Sequence, residues 1–185
     1  MNDLCSSART GLIALSMLMA LAVGSGAAIA AEHDTQRASA PGKPVADAGD
    51  YEVGAFDVDV WRAWRTERGR PRVVMFSTTF CAHCPALAEA LADRLASMRS
   101  RAELHVIIMD REPDARHRAL YSRARALHVF DDQPQKIRHA IDPGWRGATP
   151  FVVLLDGAGG SPRLSLGAPP ESLWRAWALA AAGPG

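Results

Sequence analysis

The chain has 185 residues and a formal net charge of +1, with 48% hydrophobic and 22% charged residues. This length is sufficient for one domain with a sizeable core, and the composition is that of an ordinary globular protein. The near-neutral charge gives no indication of a nucleic-acid surface or of a strongly acidic partner. We therefore expect a globular domain that does not bind nucleic acid.

The first 30 residues have the order of a secretory signal. A polar start with Arg9 precedes the apolar run GLIALSMLMALAVG, and small residues follow up to Ala30. We predict that residues 1–30 are a signal peptide cleaved near Ala30, which also removes Cys5. Residues 31–50 lack bulky apolar side chains and read as a flexible leader. The mature protein is then expected to be exported to the periplasm and soluble, with an uncleaved membrane anchor as the alternative.

Residues 51–185 contain alternating helix and strand patterns, and we predict that they form one domain. In chain order these patterns are a helix at 56–69, a strand at 72–78, a helix at 85–98, a strand at 103–110, a helix at 113–129, a short helix at 131–141, strands at 150–157 and 162–167, and a closing helix at 169–182. Alternation of this kind favours a parallel sheet covered by helices on both faces. The last two strands read as a hairpin, so the predicted fold class is α/β with a central mixed sheet.

Apolar side chains recur at helical spacing in these segments. In the helix predicted at 113–129 the apolar positions are Leu120, Ala124 and Leu127. Four tryptophans lie at helical spacing beside arginines, and we interpret them as residues at the edge of the core that arginine side chains cover: Trp61, Trp64, Trp174 and Trp177.

Two cysteines, Cys81 and Cys84, lie where the predicted strand 72–78 gives way to a helix that we expect to begin near residue 81. A helix N-terminus has unpaired N–H groups and a partial positive charge, and both favour a thiolate over a thiol. Residues three apart are neighbours on a helix, so the two sulfurs can close a small ring. We expect Cys81 to be the exposed, attacking sulfur and Cys84 the more buried, resolving one.

A strand, a C-x-x-C pair at a helix start and a distant Thr-Pro before a strand together resemble the thioredoxin superfamily. Over about residues 54–180 the chain looks most like its exported TlpA/ResA branch of thiol–disulfide oxidoreductases. The resemblance implies a thioredoxin-like fold in which the Thr149-Pro150 bond is cis and packs beside the disulfide. It also implies that the Thr149 backbone pairs with an extended substrate.

The residues around the cysteines depart from the usual thioredoxin motif. Phe80 stands where tryptophan is usual, and Ala82 and His83 stand between the cysteines in place of Gly-Pro. A donor or a positive charge on His83 would stabilise the Cys81 thiolate and the reduced form, which makes the disulfide more oxidising. We therefore expect Ala82 and His83 to tune the reduction potential.

A proton acceptor for Cys84 is not evident in the sequence. Met75 occupies the position at which thioredoxin itself has a buried acid. Glu89 and Asp93 are candidates through their nearness in the chain alone.

The resemblance implies an enzyme that exchanges disulfides with protein thiols, without a cofactor other than the Cys81–Cys84 disulfide. It is consistent with an oxidase, with a reductase in cytochrome c maturation and with a reductase for copper-site cysteines. We expect a monomer, recharged by a membrane redox partner that the sequence does not identify.

Three other functions remain open at this point. An SCO-like copper chaperone would bind copper through Cys81, Cys84 and His83, since soft thiolates suit Cu(I). The pattern T-x-x-C, with Thr78 three residues before Cys81, is also that of peroxiredoxins. A disulfide without chemistry is the last alternative, although a bridge that closes so short a loop adds little stability.

Overall fold

The computed structural model of the chain describes residues 53–182, so the predicted signal peptide and leader lie outside the described residues. The strands are β1 (Val53–Phe56), β2 (Arg72–Ser77), β3 (Glu103–Ile108), β4 (Ala126–Phe130), β5 (Phe151–Leu155) and β6 (Arg163–Leu166). The helices are α1 (Val58–Thr66), α2 (Cys84–Ser97), α3 (Ala115–Ala119), α4 (Pro134–Ile141) and α5 (Glu171–Ala181). None of these five helices has the length and apolar character needed to cross a bilayer.

The six strands form one sheet in the order β1-β4-β3-β2-β5-β6. The first four in this order run parallel, while β5 is antiparallel to β2 and β6 is antiparallel to β5. The predicted mixed sheet is therefore confirmed. Because β2 and β3 are parallel and in register from Arg72 with Glu103 to Ser77 with Ile108, their carboxyl ends meet at one edge. That edge carries the cysteines.

Helices cover both faces of the sheet, as the alternation of elements predicts. On one face α2 and α5 pack on side chains of β2 such as Val73 and Met75. On the other face α1 and α4 pack on Val74 and Phe76. Every residue of β2 is buried, which is why this strand reads as a continuous apolar run rather than an alternating one.

The four tryptophans named in the sequence are core and core-edge residues, as predicted. Trp61 and Trp177 are almost fully buried, and each indole N–H donates to a backbone carbonyl, that of Ala140 or of Leu155 respectively. Arginine guanidinium groups lie over three of the rings: Arg65 over Trp61, Arg72 over Trp64 and Arg94 over Trp174. Arg65 is exposed and Arg94 half-buried, so their charges remain in contact with solvent, whereas Arg72 is itself buried and its guanidinium pairs with Glu67 at 2.6 Å.

The predicted helix at 113–129 is wrong in its second half. Helix α3 has only five residues, a series of turns follows, and residues 126–130 form strand β4 between β1 and β3. Leu120, expected on the core face of that helix, is 43% exposed, while Leu127 is buried from within β4. The segment Ala-Leu-His-Val-Phe suits a strand because β-branched and aromatic side chains pack well on a pleated surface.

Strand β1 was not predicted. It has four residues, contains a glycine, and pairs in register with β4 from Val53 with Leu127 to Phe56 with Phe130. A segment this short carries too little periodicity to be distinguished from a loop. Its pairing with β4 gives it a place at the edge of the sheet.

Candidate active site

A disulfide joins Cys81 and Cys84 just beyond the carboxyl end of β2, with 5.5 Å between the two Cα atoms. Cys84 is fully buried in the core cluster that also contains Met75 and Ala88. Cys81 is partly exposed and packs against that cluster from outside. The two sulfurs are therefore unequal, since one faces solvent and the other faces the core.

The helix after the cysteines begins at Cys84, one residue before the helical pattern at 85–98 and three residues after the start that we expected near residue 81. Cys81 lies in the preceding turn, where its N–H donates to the Thr78 carbonyl at 3.1 Å and its carbonyl accepts from the Cys84 N–H at 3.2 Å. Pro85 explains the late start. It has no N–H to donate to the Cys81 carbonyl, so the helical ladder cannot extend back to residue 81. Cys81 therefore lies in the turn before the N-terminus of α2 and is not part of that helix.

The Thr149-Pro150 peptide bond is cis, as the resemblance implies. Pro150 directly precedes β5, which pairs with β2 through Phe151 opposite Phe76. Continuing that register places Pro150 opposite Ser77 and Thr149 opposite Thr78. Thr149 and Pro150 therefore lie at the edge of the sheet from which the cysteine loop departs.

The loop before Thr149 is held by one ring and one glycine. Trp145 stacks on Phe151 with 4.4 Å between ring centroids, and its indole N–H donates to the Ala148 carbonyl at 2.9 Å. Gly147 has φ +90°, a conformation that L side chains rarely adopt, and Arg138 packs where a Cβ would stand. The backbone conformation at position 147, through which the chain reaches Thr149, therefore requires a glycine.

The backbone groups of Pro150 and Thr149 differ in their hydrogen bonding. The Pro150 carbonyl accepts from the Gly167 N–H at 2.8 Å, which ties it to the end of β6. Among residues 53–182, no backbone group of Thr149 makes a hydrogen bond to another backbone group. Thr149, to which the resemblance assigns pairing with a substrate, is partly exposed.

The residues between and before the cysteines are at the surface. Phe80 is 79% exposed, which is unusual for a phenylalanine, and Ala82 and His83 are exposed as well. His83 is the N-cap residue of α2, although its side chain makes no capping hydrogen bond. An exposed aromatic ring and an exposed imidazole thus flank the disulfide.

Neither carboxylate considered as a proton acceptor lies on the buried side of α2. Glu89 and Asp93 both bind the Arg123 guanidinium, and their side chains are 46% and 71% exposed. Met75 is fully buried in the cluster that contains Cys84. The structure therefore brings no carboxylate of α2 to the buried sulfur.

A buried pair of hydroxyl groups lies on the Cys84 side of the sheet. The hydroxyls of Ser77 and Tyr121 are 2.9 Å apart, and Tyr121 belongs to the same core cluster as Cys84. Burial raises the pKa of Tyr121, and the charge of Asp110 acts in the same direction. The sequence does not reveal this pair, because the helix predicted at 113–129 includes Tyr121.

Cys81, Cys84 and His83 are the ligands that the copper alternative requires. Within the part of the chain that the structure describes, no three His, Cys, Asp or Glu side chains form a group that could hold a metal ion. For the peroxidase pattern, Thr78 is buried, and its hydroxyl has no hydrogen-bond partner among the described residues.

No family model matches the sequence, and no curated protein matches it. Among solved structures the chain is similar to a thioredoxin-family thiol:disulfide interchange protein from Chlorobium tepidum, with 16% identity, 72% of this chain and 92% of that chain covered, and a TM-score of 0.45. It is also similar to a secreted Mycobacterium tuberculosis disulfide oxidoreductase homologous to E. coli DsbE, with 21% identity, 62% and 83% covered, and a TM-score of 0.40. A third similar structure is StoA from Bacillus subtilis, with 14% identity, 60% and 84% covered, and a TM-score of 0.42.

At these identities and scores, the thioredoxin-like character of the fold rests on features of this chain. They are the C-x-x-C disulfide between the end of β2 and the start of α2, the antiparallel β5 beside β2, and the cis-proline at the start of β5. The C-x-x-C pair between strand and helix and the cis Thr149-Pro150 bond are features that the resemblance implied, while the pairing of β5 with β2 is added by the structure. The fold is therefore thioredoxin-like.

Proposed function

We propose that this protein is a thiol–disulfide oxidoreductase that exchanges disulfides with protein substrates through Cys81 and Cys84. The observation that supports this most directly is the asymmetry of the pair, with Cys81 partly exposed and Cys84 fully buried. A bridge that served stability alone would gain little from closing so short a loop. Disulfide exchange, in contrast, requires one accessible sulfur that attacks the substrate and a second sulfur that resolves the mixed disulfide.

In the reducing direction the Cys81 thiolate attacks one sulfur of a substrate disulfide. A mixed disulfide forms between Cys81 and that sulfur, and the other substrate sulfur leaves as a thiolate. The Cys84 thiolate then attacks Cys81, which releases the second substrate thiol and closes the Cys81–Cys84 disulfide. Two electrons pass to the substrate, and the reverse sequence of steps oxidises a substrate dithiol.

The substrate groove in this proposal is formed by Thr149 and Pro150. The Thr149 N–H and carbonyl would pair with an extended segment of the substrate, which brings its cysteine to Cys81. The exposed Phe80 ring supplies apolar contact area next to the same sulfur. Ala82 and His83 would set the reduction potential, and no bound cofactor is required for these steps.

The cellular setting of the proposal follows from the sequence. An export signal over residues 1–30 would deliver the protein to an oxidising compartment, where a cysteine pair can cycle. We place the protein in the exported TlpA/ResA-like branch, as a monomer that acts on protein thiols and is recharged by a membrane redox partner. Reduction of apocytochrome c or of copper-site cysteines are two roles that fit this setting.

The proposal is tested by trapping the mixed disulfide on a defined substrate. Reduced Cys84→Ser protein is incubated with insulin, whose disulfides serve as the probe, and products are separated without reductant. We expect a covalent adduct linked through Cys81, because the resolving sulfur is missing. The matched variant Cys81→Ser should form no adduct, because Cys84 is buried.

Absence of an adduct with Cys84→Ser, or equal adducts with both variants, would contradict the exchange role. Cu(I) titration of the reduced protein, followed by a thiol count, tests the copper alternative. Stoichiometric Cu(I) binding in a protein that forms no adduct would favour that alternative. Rapid consumption of hydrogen peroxide by a protein that forms no adduct would instead favour a peroxidase.

A further inference from the structure

Thr79, two residues before Cys81, is held on all of its polar groups by the segment that follows β3. Its N–H donates to Asp110 Oδ1 at 2.9 Å, and its hydroxyl donates to Asp110 Oδ2 at 2.6 Å. The same hydroxyl oxygen accepts from Arg111 Nε at 3.1 Å. Its carbonyl accepts from His117 Nε2 at 3.0 Å. Thr79 is therefore one point at which the loop that carries the attacking cysteine is fixed.

His117 makes its contacts with both ring nitrogens. Nε2 faces the Thr79 carbonyl, while Nδ1 lies 2.8 Å from Asp114 Oδ1. A carbonyl oxygen and a carboxylate oxygen can only accept hydrogen bonds, so both contacts require an N–H on the ring. A neutral imidazole has one N–H and can make only one of them. The geometry therefore fits the imidazolium form, placed between Asp114 and the cysteine loop.

The same loop is also held from inside the protein. Ser77, at the end of β2, is joined to Tyr121 by the buried hydroxyl contact at 2.9 Å. The Cys81 N–H closes a turn on the Thr78 carbonyl. With its start and its middle both fixed, the loop presents Phe80 and Cys81 outward. The contacts to Ser77 and Thr79 both come from residues 110–121.

We propose that Asp110 and His117 are positioning residues for Cys81, which act by fixing Thr79 and thereby the loop that carries the attacking sulfur. The His117 contact forms with the protonated ring, so the reactivity of Cys81 depends on the protonation of His117. This inference rests on the proposed function, because it assigns residues that act on the same sulfur.

The charges around His117 are consistent with this role. On its own element it faces Asp114, whose pKa is lowered first by the hydrogen bond from the His117 backbone N–H and then by the one from its ring. Across the contact, the segment after β3 contributes Asp110 and Arg111, both bound to Thr79. The neighbouring Arg118 is bound to the Pro113 carbonyl. On the cysteine loop the titratable groups are Cys81 and His83.

Loss of the His117 proton has two physical consequences. Either the Thr79 carbonyl or Asp114 loses its donor, which loosens the loop, and the positive charge beside the loop disappears. A nearby positive charge favours a thiolate, so its loss makes the Cys81 thiol harder to ionise. Both effects reduce the reactivity of Cys81 when the His117 ring is neutral.

The first experiment reads the reactivity of Cys81 without any substrate protein. Cys84→Ser protein is alkylated with iodoacetamide from about pH 5 to about pH 9, the range in which histidine titrates, and Cys81 is followed by mass spectrometry. Adding His117→Gln should change the shape of the pH profile and slow the reaction at the acidic end of this range by about five-fold, the equivalent of one net hydrogen bond. Adding Asp110→Ala should slow it at every pH.

The matched control is His139→Gln, because His139 is an exposed histidine of α4 outside these contacts. It should leave the alkylation profile unchanged. A His117→Gln profile identical to that of the His139→Gln control would overturn the positioning role. Thermal unfolding of each variant checks that the fold is retained, and Asp110→Ala provides a second test on an exposed residue.

The second experiment repeats the series with insulin and the two-cysteine protein. We expect the rate of disulfide exchange to follow the order of the alkylation rates. If His117→Gln slows alkylation of Cys81 but the two-cysteine protein exchanges nothing with insulin, the proposed function is overturned and the positioning role is supported. A protein that exchanges disulfides equally well with and without His117 would support the proposed function and overturn the positioning role.

Discussion

Cys81 and Cys84 differ in the property that decides which sulfur meets a partner. Both were expected at a helix start from their spacing, yet Pro85 moves the start of the helix to Cys84 and leaves Cys81 in the turn before it. Cys81 is the accessible sulfur, and Cys84 is buried in the core. This difference supports the order of attack in the proposed reaction.

His83 tests whether the residues between the cysteines set the potential. We predict that His83→Pro lowers the reduction potential by roughly 30 mV, which is a tenfold change in the two-electron equilibrium. The physical reason is that His83 favours the reduced form through a donor or a positive charge next to Cys81. The measurement is equilibration of the pair with glutathione at a series of ratios.

The matched variant His83→Gln separates the imidazole charge from the effect of proline on the backbone. If the charge is responsible, His83→Gln should lower the potential as well. A potential that is unchanged in both variants would show that His83 is merely tolerated at the surface.

Two strands carry a pair of histidines whose burial makes the stability of the fold depend on pH. His105 on β3 and His128 on β4 lie with Nδ1 and Nε2 3.2 Å apart, under the Trp64 ring. The pKa of His105 is lowered to about 4, mainly by burial, and the charges of His128 and Arg72 act in the same direction. Burial also lowers the pKa of His128.

Since the pKa of His105 is lower in the folded than in the unfolded chain, the unfolded chain binds more protons between the two values. We therefore predict that stability is complete above pH 6.5 and falls as the pH is lowered toward about 4. The loss attributable to His105 is about 3 kcal/mol. Urea unfolding at a series of pH values measures it.

His105→Phe, which keeps a ring against Trp64, should show a shallower fall in stability over this range. The exposed His139→Gln serves as the control and should behave as the unmodified protein does, since acid titration of the carboxylates is common to all three. Identical pH dependence in His105→Phe and in the control would contradict the assignment.

The loop that leads to the cis-proline depends on one glycine. We predict that Gly147→Ala destabilises the protein by about 1–2 kcal/mol, because φ at this position is +90° and Arg138 occupies the space of a Cβ. Gly144→Ala is the control, because Gly144 has no such φ and an added Cβ would lie no closer than 3.4 Å to its neighbours. Chemical denaturation should show a change within about 0.5 kcal/mol for that control. Equal losses in both variants would contradict the account of the loop.

At the scale of the molecule, the sequence predicts those helices and strands whose own residues carry a clear apolar pattern. Strand β2, helix α2 and strand β5 each carry a complete apolar signature, and they hold the disulfide and Thr149-Pro150 between them. The pairing of β4 with β1 depends on contacts between distant segments. The spacing of Leu120, Ala124 and Leu127 matches that of one face of a helix, although these residues lie in turns and in strand β4.

The contacts around Thr79 show the same limit for the site. Asp110 follows the parallel neighbour of β2, so the meeting of carboxyl ends at one edge of the sheet offers a signal for it. His117 contacts the loop from within α3, and Tyr121 contacts it from the turns that follow this short helix. Their roles could not be inferred while they were assigned to one long helix.

The reduction potential of the Cys81–Cys84 couple tests the central proposal most directly. We predict a reversible two-electron equilibrium with glutathione, at a value between about −120 mV and about −270 mV, the range of thiol–disulfide oxidoreductases. A bond that stays oxidised at every glutathione ratio, with a potential below about −300 mV as in structural disulfides, would contradict it.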